Sequence, residues 1–122
     1  MPRKPSRKTL SNKADRLWWR AIRSKGFCEL AGLDQVQCGG PHQAAHIVGR
    51  RYRVTRWDLN NGLCLCRDHH VFYTHRPELW YVTMERIWPG RYHRLVQAAQ
   101  GLWNKVYPIA ELEEALEAAN GA

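Results

Sequence analysis

Apolar residues in this 122-residue chain recur first at helical spacing. Leu10, Ala14, Leu17, Trp18, Ala21 and Ile22 fall three and four apart, with Arg16, Arg20 and Arg23 on the opposite side. The pattern predicts an amphipathic helix capped by Ser11 or Asn12 and ended by Gly26. Between 27 and 66 the long helical period disappears. Phe27-Cys28-Glu29-Leu30 and Ala45-His46-Ile47-Val48 read as short β pieces, separated by Gly32, Gly39-Gly40-Pro41 and Gly49, and Asn60-Asn61-Gly62 reads as a turn. Helical periodicity returns from Arg67 to about His75, from Pro77 to Trp88 and from Tyr92 to Val106, the last with Leu95, Val96, Ala99, Leu102 and Trp103 inward. Pro77 suits a first turn and Pro89-Gly90 breaks the second of these helices. Pro108 opens a final helix with Ile109, Leu112, Ala115 and Leu116 inward and four glutamates outward, acidic near its start as the helix dipole favours. The expected class is α+β: a small β-containing core with an N-terminal helix and a helical C-terminal cover.

Length and charge narrow the picture. A chain of this size has room for one domain with a modest core. No apolar run approaches the ~18–20 residues of a membrane span, and the charged start Met1-Pro2-Arg3-Lys4 has no apolar segment behind it, so neither a membrane partner nor a secretory signal is expected. The expected location is intracellular and cytoplasmic, where four cysteines point to metal or chemistry rather than to disulfides. The net charge of +8 is unevenly spread: thirteen basic and four acidic residues precede Asn61, against six and seven from there on. A basic half of this kind faces phosphate. Residues 1–11 read as a basic flexible tail and 12–122 as a single domain.

All four cysteines and five of six histidines lie between 28 and 75. Cys66-Arg67-Asp68-His69 has the two-residue spacer that lets both side chains reach one ion from a knuckle turn. Cys28 and Cys38 are candidates to complete a Cys3His structural zinc site, with Cys38 and His42 as a competing pair. Cys64 is expected to be a buried free thiol. His46, Asn61, His70 and His75 remain.

Those remaining residues carry a resemblance. Ala45-His46-Ile47-Val48-Gly49-Arg50-Arg51 followed by Asn61-Gly62-Leu63-Cys64-Leu65-Cys66-Arg67-Asp68-His69-His70 resembles the signature of HNH endonucleases, over roughly residues 27–80, and is most like the small members encoded by phages. The resemblance implies a ββα-metal (His-Me finger) core with zinc knuckles, and a metal-dependent DNA endonuclease, nicking with limited sequence specificity. It implies His46 as general base, Asn61 as the residue that pins the base-carrying loop, and His70 as ligand of a catalytic divalent ion (Mg2+, Mn2+, Ni2+ or Zn2+). Many members carry Asp or His before the base; here Ala45 stands there, and His75 is a candidate replacement, with Asp58 and His42 behind it. A site of imidazoles leans to transition metals over Mg2+. Arg50, Arg51, Arg53 and Arg56 would contact DNA phosphates. Phage packaging proteins are candidate partners. The alternative is a zinc-stabilised DNA-binding module without catalysis.

Overall fold

Ser6, rather than Ser11 or Asn12, starts the first helix. In the computed structural model, which describes residues 3–121, α1 runs Arg7–Arg23 and the Ser6 hydroxyl accepts the Thr9 N–H at 3.1 Å. The expected tail of residues 1–11 is therefore helical from Arg7 onward, because Ser6 follows Pro5 and nothing after it breaks the helix. Residues 1 and 2 lie outside the described residues. The buried stripe of α1 is Ser11, Ala14, Trp18 and Ile22.

The sheet has two antiparallel strands, β1 (His42–His46) and β2 (Gly62–Cys66), with His42 opposite Cys66 and His46 opposite Gly62. The expected β piece at Phe27–Leu30 is instead a run of turns, and the second piece begins and ends earlier than its apolar residues suggested. The link between the strands holds a single helical turn, α2 (Arg53–Arg56), and a 3-10 turn at Leu59–Asn61. β2 passes directly into α3 (Arg67–Thr74), completing a ββα unit, and α4 (Pro77–Ile87), α5 (Arg91–Ala99) and α6 (Ile109–Gly121) follow. The helix expected to reach Val106 stops at Ala99. Gly101 donates back to the Ala98 carbonyl, residues 102–108 are irregular, Trp103 and Tyr107 turn to the core, and Leu102 is left 98% exposed.

Every residue of β2 is buried, which explains the unbroken apolar run Gly-Leu-Cys-Leu-Cys. Alternation along the sheet sends Ala45, Leu63 and Leu65 to one core cluster with Tyr73 of α3, Met84 of α4 and Leu95 of α5. Ala44 and Cys64 go to the other, with Ala14, Trp18 and Ile22 of α1 and Leu112 of α6. The sheet is thus sandwiched between two helical layers, an α+β arrangement as expected. No helix of the described residues is long and apolar enough to cross a membrane.

Gly62 is the point of closest approach between α1 and the sheet. Its backbone is ordinary (φ −132°), but a Cβ there would run into Ile22 and Trp18. We expect Gly62→Ala to cost about 1–3 kcal/mol through overpacking, whereas Gly49→Ala, with open space around it, leaves stability nearly unchanged. Chemical denaturation of both variants checks this contrast.

Candidate metal centre and catalytic cleft

Cys66 ends β2 and caps α3, its sulfur accepting the His69 N–H at 3.4 Å. That turn folds His69 back so that Nδ1 sits 3.1 Å from the Cys66 sulfur and 3.6 Å from those of Cys28 and Cys38. The four ligand atoms lie within 4.8 Å of one another. A tetrahedral zinc with ordinary Zn–S and Zn–N bonds would separate sulfur and nitrogen ligands by about 3.6 Å, so the donor set can hold a metal ion. Cys38 is delivered by the Gly39-Gly40-Pro41 loop, whose Gly39 and Pro41 carbonyls accept the Asp68 and Arg67 N–H groups at the amino end of α3. Burial raises the Cys66 thiol, but the His69 and Gly39 N–H groups and the His69 ring outweigh it and draw the thiol down to about 6, toward the thiolate a metal requires.

The shell behind the ligands was invisible to sequence reasoning. His69 Nε2 donates to Asp34 Oδ1 at 2.9 Å, and the other oxygen of Asp34 accepts the Tyr73 hydroxyl at 2.6 Å. The carboxylate fixes the tautomer that leaves the Nδ1 lone pair facing the three sulfurs. Cys64 is fully buried and outside the cluster, as expected, and His42 does not compete for Cys38.

A second site opens beside β1. A cleft of about 230 Å3 is lined by Ala45, His46, His70, Thr74, Pro77 and Trp80, among others. His46 Nε2 donates to the Arg56 carbonyl at 2.9 Å, and its ring stacks on Trp18 at 4.0 Å between centroids. A carbonyl can only accept, so the neutral ring keeps its lone pair on Nδ1. Burial lowers the pKa of His46, only partly opposed by the Arg56 carbonyl and by Asp15, so the ring is neutral at pH 7. His70 Nδ1 donates to Gln43 Oε1 at 2.7 Å, leaving the Nε2 lone pair, and burial lowers its pKa as well. Gln43 and Asp15 went unnoticed in the sequence, since nothing local marks them, and Trp18 was expected only as a core residue of the first helix.

Asn61 is fully buried. Its Oδ1 accepts the Val48 N–H at 2.8 Å, and its Nδ2 donates to the Val48 and Thr55 carbonyls at 2.9 and 3.0 Å. It is a loop fastener, with both amide hydrogens and its oxygen engaged by the backbone. His75 closes α3, is exposed and does not line the cleft, and among the described residues His46, His70 and His75 form no converging ligand group. Arg50 and Arg51 are exposed and Arg53 half-buried over Trp103, but Arg56 is not available to phosphate. It is buried, bonded through Nε and Nη2 to Asp15 at 3.0 and 2.6 Å, because its carbonyl serves His46 and its side chain anchors the turn.

Residues 28–76 match a family model described as HNH endonuclease. This segment, about two fifths of the chain, is similar to HNH endonucleases. No curated protein and no solved structure matches the chain. The matched segment contains all four cluster ligands, His46, Asn61 and His70, while α1, α4, α5 and α6 lie outside it.

Metal content separates the ligands from the bystander thiol. Cys64→Ala should retain one tightly bound ion per chain by atomic absorption, and Cys66→Ala should lose it. Asp34→Ala should weaken affinity about 10–100-fold. Full metal retention in Cys66→Ala would contradict the cluster.

Proposed function

We propose that the protein is a divalent-metal-dependent endonuclease that hydrolyses phosphodiester bonds of DNA, nicking one strand per active site with limited sequence specificity. The observation that carries this reading is the hydrogen bond from His46 Nε2 to the Arg56 carbonyl, which leaves Nδ1 basic in a cleft shared with His70. His46 takes a proton from water as the oxygen attacks phosphorus; the new P–O bond forms as the bond to the 3′ oxygen breaks, and the departing oxygen is protonated by solvent. Asn61 holds the loop that presents the Arg56 carbonyl, and Trp18 holds the imidazole plane. Arg50, Arg51 and Arg53 contact backbone phosphates, which reads shape and charge more than sequence.

His70 Nε2 is the one imidazole lone pair that would ligate an ion in this cleft, with water and phosphate oxygens filling the rest of the shell. When bound, such an ion would offset charge on the phosphoryl and departing oxygens. The Cys3His cluster is read as structural zinc within a single nuclease domain that includes all of α1. Ala45, which has no ligand atom, favours a second reading: a zinc-stabilised DNA-binding module without catalysis.

Conversion of supercoiled plasmid to open circles, run with a panel of divalent ions, tests both. Wild type should nick with at least one ion, and His46→Ala should slow nicking about 100–10,000-fold. Binding without nicking under every ion would favour the second reading. Because the His46 pKa is lowered, the base is charged and inactive only at acid pH. The rate should rise with pH through a midpoint below the ordinary imidazole value and stay level above it. An acid limb displaced above that value would contradict the assignment of the base.

A further inference from the structure

The strongest unassigned feature is the exposed face of α1, which lies outside the matched segment. Arg16, Arg20 and Arg23 are exposed there at i, i+4 and i+7, opposite the buried Ala14–Trp18–Ile22 stripe. None of the three pairs with a carboxylate among the described residues. The four acids of the basic half are committed elsewhere: Asp15 to Arg56, Glu29 to Lys25, Asp34 to His69 and Tyr73, and Asp58 to capping the 3-10 turn. Glu113 of the adjoining α6 pairs with Lys13 instead, so the three guanidiniums of this face have no carboxylate within 4.0 Å among the described residues.

Two clefts tie that face to β1. One of about 340 Å3 is lined by Asp15, Arg16, Trp18, Trp19, His46 and Arg50, with Ala44 as its floor, so His46 is a wall of both this cleft and the one it shares with His70. The other, about 440 Å3, is lined by Arg20, Arg23, Ser24 and His42 against Leu116 and Asn120 of α6. Arg23 stacks 4.2 Å over the ring of half-exposed Trp19, an arrangement that steadies the guanidinium while leaving its N–H edge for an anion. From Arg16 to Arg23 the helix rises about 10 Å, roughly three base-pair steps of duplex DNA.

We propose that the exposed face of α1 is a second DNA-contacting surface, on which Arg16, Arg20 and Arg23 hold backbone phosphates of duplex DNA whose scissile strand lies in the His46 cleft. The position of the scissile strand rests on the nuclease reading; the contact itself does not. The surface lengthens the footprint beyond the Arg50–Arg53 loop and sets how far from the nick the duplex is held.

Binding of a fluorescent 20-base-pair duplex to the metal-loaded protein, followed by anisotropy from 50 to 200 mM salt with no ion added for cleavage, tests it. The double variant Arg20→Gln/Arg23→Gln should weaken binding at least about tenfold at 100 mM salt. It should also flatten the slope of log affinity against log salt by about 1.8, the loss of two phosphate contacts. An unchanged slope overturns the proposal. So does an equal flattening in Arg86→Gln/Arg94→Gln, which would make the effect one of net charge alone. If the slope falls as expected but wild type never nicks plasmid, the surface stands and the nuclease reading fails. If wild type nicks while the α1 variant binds like wild type, the reverse holds.

Discussion

The position of one carbonyl oxygen organises this molecule's chemistry. The Arg56 carbonyl accepts Nε2–H of His46 and so decides which imidazole nitrogen is basic. That oxygen is placed by contacts spread over the chain. The Arg56 side chain is clamped to Asp15 on α1, Trp57 donates its indole N–H to the same carboxylate at 2.8 Å, and Asn61 ties Val48 and Thr55 to the start of β2. Each is a buried or half-buried polar group whose loss would leave its partner unsatisfied, so the loop has little freedom to drift from His46.

The two sites are built from the same short stretch. β2 is buried on both faces and ends at Cys66, where the backbone turns into α3 and delivers His69 to the metal cluster and His70 to the cleft. The two neighbouring histidines use opposite ring nitrogens as donors, His69 through Nε2 to Asp34 and His70 through Nδ1 to Gln43, so their lone pairs serve different sites. A two-stranded sheet is marginal alone; here it gains from helices on both faces and from a metal-ready cluster joining the 28–38 loop to α3.

Much of the centre was legible because its chemistry is local. The Cys66-x-x-His69 spacer, the turn at Asn61-Gly62 and the density of cysteine and histidine between 28 and 75 are short-range signals, and the structure gathers Cys28, Cys38, Cys66 and His69 from them. What stayed hidden depends on distant partners. Arg56 reads as one of four like arginines until Asp15, 41 residues away, turns it inward. Asp34 and Gln43 are undistinguished until His69 and His70 fold against them. The periodicity of 92–106 misled because Trp103 and Tyr107 are indeed apolar inward residues, yet they reach the core from an irregular segment after Gly101.

The tautomer of His46 is the most direct readout of this account. Long-range 1H–15N correlation spectra of the metal-loaded, 15N-labelled protein near pH 7.5 distinguish a protonated from an unprotonated ring nitrogen. The arrangement around Arg56 predicts a neutral His46 with the proton on Nε2 and a bare Nδ1. A His46 protonated on Nδ1, or one still charged at that pH, would contradict it.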